Sequence, residues 1–322
     1  MREKLIARDL KLPPLETMIR RDALNKKERK ISILHIWQLL FDQLVVLSIQ
    51  SVFKGVGKYQ VSSIKGRGIS YGSKAIKRWI KEMPEKFYAA KVDVKKFYES
   101  VDRNVLMDWL SKRIANPPLL WLIKTLFNTI DHGIPIGSFL SQTIANIFLS
   151  NLYHRAQEYY FFTRREERKK VFHHVLFYMD DMLFMGTNKK KMKESIFDLI
   201  EYAKNNLHLT IKPNWNVFQV TEEHPINMMG FRFSRGKTST KRKIRRSVRR
   251  MEVRARRERL KGSRGVSEKQ ARRMVSYFGY AKRTVCGPKG INILDDYRFA
   301  FETIRKIEEK RLEARMNSTF PF

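Results

Sequence analysis

The chain has 322 residues, of which 43% are hydrophobic and 12% aromatic, so it can form a folded core and is not intrinsically disordered. Its 66 Lys and Arg residues against 32 Asp and Glu residues give a formal net charge of +34, which indicates a polyanionic partner. The single cysteine, Cys286, excludes an internal disulfide and is typical of a reducing cytoplasm. The early charges at Arg2, Glu3 and Lys4 lead us to expect no secretory signal. Since no lipidation motif or basic amphipathic anchor is evident, we expect no membrane partner.

The first third of the chain is expected to be mainly helical, with basic loops. Residues 1–30 are basic and helix-prone, with Pro13 and Pro14 as interruptions. The apolar stretch 36–53 contains Asp42 and three glutamines, which predicts a buried or amphipathic helix and not a membrane span. A short loop, residues 65–68, carries two glycines that let a backbone approach a phosphate closely. A further helix is expected over residues 71–81.

The middle of the chain begins with a predicted strand, residues 87–92, that ends at Asp93. Asp102 is an expected N-cap of the helix that follows, so we leave Asp102 and Asp108 out of the candidate site. Apolar helices are expected over residues 119–130 and 139–158, the second with a stripe that faces the core. Its other face carries small or amide side chains that can lie close to a base pair: Ser138, Ser141, Gln142, Ala145 and Asn146.

Two adjacent acids, Asp180 and Asp181, stand between the apolar runs 175–177 and 182–185. This pattern predicts a β-hairpin with the acids at its tip. Two neighbouring carboxylates repel each other, and hard divalent cations such as Mg²⁺ take oxygen ligands of this kind. The alternative is a solvated turn, but the flanking apolar strands favour a fixed place in the core. If Asp93 lies on an adjacent strand, three carboxylates can hold two metal ions, which suits in-line phosphoryl transfer.

The last third changes from mixed to strongly basic composition. A helix over residues 189–206 and a strand over 207–212 are expected, and Gly230 fits a turn. From residue 234 a basic helix is predicted, and helices over 269–282 and 294–316 complete the chain. One face of the basic helix is apolar and the rest is rich in arginine, which favours contact with a nucleic-acid backbone over a merely solvated face. The arginines concerned are Arg242, Arg245, Arg246, Arg249, Arg256 and Arg257.

Three segments, taken in order, resemble motifs A, B and C of the reverse transcriptases, the right-hand polymerases that copy RNA into DNA. They are residues 93–98, residues 137–142 and the Tyr-Met-Asp-Asp sequence at 178–181. Motif B departs from the usual Gln-Gly-x-x-x-Ser-Pro, because Ile136 precedes Gly137 and Gln142 follows Ser141. This variant is similar to the reverse transcriptases of diversity-generating retroelements and to some bacterial relatives of unassigned role. In that subgroup the Ile-for-Gln change is linked to errors opposite template adenine.

The resemblance implies an α+β right-hand polymerase, with fingers and palm around an antiparallel catalytic sheet and an α-helical thumb. The expected domains are an N-terminal extension and fingers over residues 1–86, a palm with interleaved fingers elements over 87–233, and a basic helical thumb with a C-terminal helix over 234–322. Neither a ribonuclease H nor a maturase extension is recognisable after the thumb.

The resemblance also assigns roles to individual residues. Asp93, Asp180 and Asp181 would be catalytic and would hold two Mg²⁺ ions, with Mn²⁺ as an alternative, and the carbonyl of Val94 would join them. The aromatic that lies against the sugar of the nucleotide would be Tyr98, with Phe97 as the alternative. The residues expected to bind the nucleotide are Arg29, Lys65, Arg67, Tyr98, Ile136, Gly137, Gln142 and Lys212. The grip on the primer end would be formed by Met229, Gly230 and Phe231. For Arg29, Lys65 and Arg67 the alternative is a solvated basic loop.

The implied function is RNA-directed DNA polymerisation, with three hypotheses about its setting. The first is the error-prone enzyme of a diversity-generating retroelement, and the second is a bacterial defence-type enzyme that copies a dedicated non-coding RNA. The third is a catalytically inactive RNA-binding scaffold, which the three acids argue against. The expected partners are an RNA template, a DNA or RNA primer, dNTPs, a structured non-coding RNA and a small basic helical accessory protein. A bacterial or phage-encoded, cytoplasmic location is expected.

Overall fold

The computed structural model describes residues 2–21, 28–240, 267–281 and 293–319, and between 241 and 266 it describes residues 242, 244–247, 249–250, 253 and 257. The chain divides into two compact units, Met1–His224 and Pro225–Phe322. In the described ranges, no helix combines the length and the apolar character needed to cross a membrane.

The first unit is built on a five-stranded sheet that carries helices. Its strands are β1 (Glu16–Arg21), β2 (Glu28–Ile33), β3 (Gln60–Val61), β4 (Tyr88–Asp93), β5 (Tyr160–Phe162), β6 (Arg168–Lys170), β7 (His174–Tyr178), β8 (Asp181–Gly186) and β9 (Val217–Gln219). Its helices are α1 (Arg2–Ile6), α2 (Ile36–Ser48), α3 (Gln50–Phe53), α4 (Ile69–Glu82), α5 (Phe97–Ser100), α6 (Arg103–Ser111), α7 (Pro117–Phe127), α8 (Phe139–Gln157) and α9 (Lys189–Leu207).

The central sheet has the strand order β3-β7-β8-β4-β9. The β7–β8, β8–β4 and β4–β9 pairs are antiparallel, and only β3 pairs in parallel, with β7. Strand β8 is buried from Met182 to Gly186 without alternation, because both faces of the sheet are covered at its centre. The predicted hairpin and the antiparallel sheet are therefore confirmed, and the sheet places the ends of β4, β7 and β8 side by side.

Helix α8 is the central helix of the unit, since 13 of its 19 residues are buried. Its apolar side chains, such as Ile144 and Phe148, join the core beneath the sheet together with those of α9. The small side chains expected to face a base pair are partly enclosed by protein. Ser141 and Ala145 are fully buried, and Asn146 donates a hydrogen bond to the carbonyl of Ser62 at 3.3 Å.

Two predictions of helix and loop are wrong because distant segments pair. Among the described residues of the range 1–30, the helix is limited to the five residues of α1. Strand β1 pairs antiparallel with β2 over six register positions, among them Met18 with Ile31. The basic composition of residues 164–170 predicts a loop, but this segment contributes the strand β6, which pairs with β5. The guanidinium of Arg168 lies 3.8 Å from the ring centre of Tyr160, a cation–π contact across this ribbon.

Two element boundaries also differ from the prediction, for local reasons. The expected helix 36–53 is divided at Ile49, whose φ of −97° and ψ of 16° leave helical geometry. The expected strand 207–212 is reduced to one bridge between Ile211 and Val94. His208 ends α9 in the left-handed conformation, with φ 53°, and Pro213 cannot continue a strand ladder.

The second unit contains a three-stranded antiparallel sheet and two long helices. Its elements are β10 (Ile226–Met228), β11 (Phe231–Ser234), β12 (Lys237–Thr240), α10 (Glu268–Ala281) and α11 (Ile293–Thr319). Met229 and Gly230, with φ values of 51° and 88°, form the two-residue turn between β10 and β11. Two positive φ values are what a type I′ hairpin turn requires.

Helices α10 and α11 pack through Ala271, Met274 and Ala300, and the carboxylate of Glu268 accepts from Arg311 at 2.8 Å. The residues described between 242 and 257 are helical. Ile244 is buried, while the predicted nucleic-acid-binding arginines at 242, 245, 246, 249 and 257 are exposed. Arg256 lies outside the described residues. The thumb assignment stays a prediction.

Candidate active site

The acid pair lies at a tight turn between β7 and β8. Tyr178 and Asp181 are register partners, so Met179 and Asp180 alone form the turn. Met179 is 8% exposed and has a φ of 53°, a left-handed conformation that side chains other than glycine rarely adopt. Such a conformation persists when its surroundings determine it, here two buried strands. The turn therefore holds Asp180 at a fixed place.

Asp93 joins this pair from the end of β4. It is the register partner of Asp181, and directly opposed residues of antiparallel strands have Cβ atoms about 5 Å apart. The amide of Val94 donates to the carbonyl of Asp180 at 3.3 Å, which links the two segments just beyond the acids. The sheet thus brings the three predicted catalytic carboxylates together. Val94 itself is fully buried, and a metal-ligand role for its carbonyl stays a prediction.

The electrostatics of the acids favour a bound cation. Burial, and next the charge of Asp93, raise the pKa of Asp180 from its ordinary value of 3.8 to about 6; Asp181 adds to the shift and Lys212 opposes it. Since desolvation and like charges both disfavour the ionised form, the surroundings of Asp180 do not fully balance its negative charge.

Two lysines are paired with these acids. The ammonium of Lys212 pairs with Asp93, and that of Lys91 lies 2.9 Å from Oδ2 of Asp181. In the part of the chain that the structure describes, no three His, Cys, Asp or Glu side chains stand as a formed metal cluster. The carboxylates nevertheless fit divalent ions, because they are hard oxygen donors held close together and already attract cationic groups. Lys212 was expected near the pyrophosphate, and the structure places it against Asp93.

The two aromatic residues of motif A differ in their surroundings. Phe97 is 2% exposed and belongs to the core, whereas Tyr98 is half-buried and lies near Asp180. Burial and the charge of Asp180 raise the pKa of the Tyr98 hydroxyl, and Arg29 lowers it. Of the two aromatics, Tyr98 is therefore the one beside the acids. Gly133 packs closely against the backbone of Tyr98, so that a Cβ at Gly133 would lie 2.2 Å from the carbonyl oxygen of Tyr98.

The paired strands β1 and β2 carry two opposed arginines, one of which acts on Tyr98. Arg29 on β2 interacts electrostatically with Tyr98, and its register partner on β1 is Arg20; both are exposed. Ile31 lies on the same face of the hairpin as Arg29, and its Cγ2 would be 3.3 Å from a Cβ at Gly137. Directly opposed like charges destabilise a strand pair, so Arg20 and Arg29 favour an anion between them. Arg20 was not predicted from the sequence, because only the pairing of β1 with β2 places it opposite Arg29.

Hydrogen bonds join the motif B loop to strand β2 and to helix α2. The amide of Ser32 on β2 donates to the carbonyl of Ile136 at 2.9 Å. Gly137 has a φ of 109°, in the region that favours glycine, and is exposed, while Ile136 is half-buried. Ser138 caps α8, since its side chain accepts from the amide of Ser141 at 3.0 Å. Ser138 also contacts Asp42 of α2, a buried acid that the sequence alone did not single out.

Residues 19–233 match the model of the family described as Reverse transcriptase (RNA-dependent DNA polymerase). The chain belongs to the reverse transcriptases. That family description is of a nucleotidyltransferase, and the chain has the polymerase fold of the family. No curated protein matches its sequence.

Solved structures similar to this reverse transcriptase include two yeast telomerases. A Candida tropicalis telomerase in complex with a TWJ fragment of telomeric RNA is 10% identical, with a TM-score of 0.53, over 96% of this chain and 55% of that one. A Candida albicans telomerase with the same kind of fragment is 9% identical, with a TM-score of 0.50, over 96% of this chain and 64% of that one. The reverse transcriptase spans less than two thirds of these chains, and at such low identity the likeness shows the fold alone.

The remaining predicted nucleotide contacts of the reverse transcriptase lie elsewhere in the first unit. Lys65 is exposed in the turn after β3. Arg67 is half-buried, and its Nη1 donates to the carbonyl of Gly57 at 3.0 Å, which gives it a part in holding this loop. Gln142 is half-buried in the first turn of α8, where its carbonyl accepts from Asn146. Nucleotide contacts of Lys65, Arg67 and Gln142 stay predictions.

The predicted primer grip lies in the second unit. Met229 and Gly230 form the β10–β11 turn, and Phe231 is fully buried at the start of β11. Phe231 is thus a core residue of that sheet, and a primer contact is better expected from the turn. The role of this hairpin at the primer end stays a prediction.

Proposed function

We propose that this reverse transcriptase extends a primer on an RNA template with two Mg²⁺ ions, or Mn²⁺ in their place, held by Asp93, Asp180 and Asp181. The observation that carries the proposal is the register pairing of Asp93 with Asp181 beside Asp180 at the hairpin tip. When bound, the ions would activate the primer 3′-oxygen and neutralise charge on the triphosphate. The three carboxylates would hold them in place and neutralise them in turn.

The surrounding residues would select and orient the nucleotide. Arg20 and Arg29 would bind the triphosphate, because their cross-strand repulsion is relieved by phosphate. Tyr98 would lie against the sugar, where its ring excludes a 2′-hydroxyl and so favours deoxynucleotides. Lys212, positioned on Asp93, would supply positive charge to the leaving pyrophosphate.

Primer extension tests this proposal. The purified protein is given a primed RNA template with all four bases, Mg²⁺ and dNTPs, beside the Asp180→Ala/Asp181→Ala variant. As a matched control, Asp108→Ala removes an exposed acid of α6 that pairs only on the surface with Lys112. DNA from the wild type and the control but not from the double variant supports the proposal. If no DNA appears, the assay is repeated on the RNA that co-purifies, and silence there favours the inactive scaffold.

We further propose that the enzyme is the error-prone polymerase of a diversity-generating retroelement. The motif B variant supports this, since Ile136 and Gln142 stand at the family's fidelity positions and Ile136 is half-exposed beside Gly137. Sequenced products should contain errors clustered opposite template adenine, and Ile136→Gln should reduce them. Accurate or template-restricted copying would instead support the defence-type enzyme, as would neighbouring DNA with an isolated RNA gene and no template and variable repeats.

The wider setting follows from the same proposal. We assign an N-terminal extension and fingers to residues 1–86, palm with interleaved fingers elements to 87–233, and thumb with a C-terminal helix to 234–322. The exposed thumb arginines would contact the duplex backbone. The partners would be template RNA, a primer, dNTPs, a structured non-coding RNA and a small basic helical accessory protein. The enzyme would be bacterial or phage-encoded and would act in the cytoplasm. Because both proteins would be basic, their association would rest on shared RNA.

A further inference from the structure

A buried acid of helix α2, Asp42, supports the start of helix α8. Asp42 is 1% exposed. Its Oδ2 accepts from the hydroxyl of Ser138 at 2.5 Å and from the amide of Leu140 at 3.4 Å, and its Oδ1 accepts from Nε2 of Gln38 at 3.4 Å. All of these donors are neutral, so the helix N-terminus and hydroxyl stand in for a cationic partner.

The contact is one of several hydrogen bonds that hold the motif B loop and the start of α8. The hydroxyl of Ser138 donates to Asp42 and accepts from the amide of Ser141, which fixes both its orientation and the first turn of α8. Two residues earlier, the carbonyl of Ile136 accepts from the amide of Ser32. The motif B loop is therefore anchored at one end to α2 and at the other to the hairpin that carries Arg29.

General stability does not explain this arrangement. A carboxylate buried without a cation is unfavourable, and an apolar or amide side chain at this position could fill the same space. What a carboxylate adds is a strong, directional acceptor for the Ser138 hydroxyl and the Leu140 amide together. Such an acceptor is useful where a loop must be held in one position.

We propose that Asp42 is a positioning residue for nucleotide selection. Through Ser138 it sets the position of the loop at Ile136 and Gly137 relative to Arg20, Arg29 and Tyr98. The inference rests on the proposed function, because it deepens the role of that same nucleotide site. Asp42 does not touch the nucleotide. Its loss should therefore weaken nucleotide binding and selection more than the chemical step.

The test compares Asp42→Ala, Asp42→Asn and Ser138→Ala with the control Ser150→Ala. Ser150 lies in the same helix, is 7% exposed and donates to the carbonyl of Ile147 at 2.6 Å, so its loss removes a buried hydrogen bond away from the loop. We expect Asp42→Ala to raise the KM for dNTPs about tenfold, because a tenfold change corresponds to the loss of one charge-assisted hydrogen bond. kcat should change much less. Asp42→Asn should recover most of the loss, because its amide oxygen still accepts.

Amide hydrogen exchange supplies a second readout that does not depend on activity. In Asp42→Ala the amides of Ser32, Leu140 and Ser141 should exchange faster, while those of the β7–β8 hairpin stay protected. In a double-mutant cycle, Asp42→Ala and Ser138→Ala should be strongly non-additive in KM, since they break the same link. If Asp42→Ala fails to fold, Asp42→Asn and Ser138→Ala decide through the same two measurements.

The outcomes separate this inference from the proposed function. Unchanged KM and unchanged exchange at Ser32 and Ser141 in the Asp42 and Ser138 variants, as in Ser150→Ala, would overturn it. A fall in thermal stability with no change in KM or exchange would assign Asp42 a purely structural role and would overturn it as well. If the wild type makes no DNA on any template, the proposed function fails, and the exchange data alone decide whether Asp42 holds the loop.

Discussion

Replacing Asp180 by Asn should stabilise the metal-free protein at pH 8, although it removes a carboxylate proposed to be catalytic. Burial and the charge of Asp93 raise the pKa of Asp180 to about 6 from its ordinary 3.8. A difference of about 2 pKa units corresponds to about 3 kcal/mol. Because Asp180 is half-buried and solvent screens part of the repulsion, we expect a gain of about 1 to 2 kcal/mol in the free energy of unfolding.

The pH dependence gives this prediction its sign. A raised carboxyl pKa in the fold means that the charged form is disfavoured there, so the penalty is absent below about pH 4, grows as the pH rises to about 6 and is complete above it. Asp180→Asn should therefore match the wild type near pH 4 and exceed it at pH 8. The exposed Asp108→Asn variant should show no such trend.

Urea denaturation in EDTA at several pH values measures the effect. Added Mg²⁺ should then reverse the order, since a ligand that binds only the folded wild type stabilises it and the variant lacks one carboxylate. A destabilised Asp180→Asn at pH 8, or a difference independent of pH, would refute the idea that Asp180 is an uncompensated charge.

Three further predictions concern the nucleotide pocket. Arg20→Ala and Arg29→Ala should each raise the KM for dNTPs about tenfold without lowering the free energy of unfolding. If steady-state kinetics show a raised KM in Arg29→Ala but not in Arg20→Ala, the paired phosphate site is contradicted. Tyr98→Ala should increase incorporation of ribonucleotides in primer extension while Tyr98→Phe does not; Phe97→Ala should instead cost about 3 to 5 kcal/mol of stability with sugar selection retained. Gly133→Ala should cost about 3 kcal/mol in urea denaturation, because its φ of 69° and the 2.2 Å approach to Tyr98 both exclude a Cβ, and a neutral effect would show that the loop can shift.

The sequence was sufficient where a local pattern coincides with the site. Apolar runs around Asp180 and Asp181 predict the hairpin, and the strand before Asp93 predicts the third acid, because strands that are buried on both faces read as continuous apolar segments. The N-cap at Asp102 was also predictable, since the Asp side chain bonds the amides of the turn that follows it.

Contacts between distant segments could not be read in this way. Asp42 and Ser138 are 96 positions apart, and neither residue alone differs from an ordinary helix acid or an ordinary cap. Arg20 becomes notable only once β1 is aligned with β2, and the same pairing turned a helix-prone segment into a strand. Lys91 lies within a strand that the pattern predicts, but its pairing with Asp181 depends on the neighbouring strand. Tertiary pairing thus decides what local propensity leaves open.

The strand order has a consequence for the newly made chain. Strand β4 is completed at residue 93, yet its neighbours in the sheet, β8 and β9, end at residues 186 and 219. During synthesis, the apolar strand β4 leaves the ribosome before the strands with which it pairs. Long-range pairing of this kind is slow and exposes the chain to aggregation. The acid set is likewise incomplete until β8 has emerged. Under the proposed function, a nascent fragment that ends before the β7–β8 hairpin would be inactive, and copying of RNA would begin only after the whole sheet has formed.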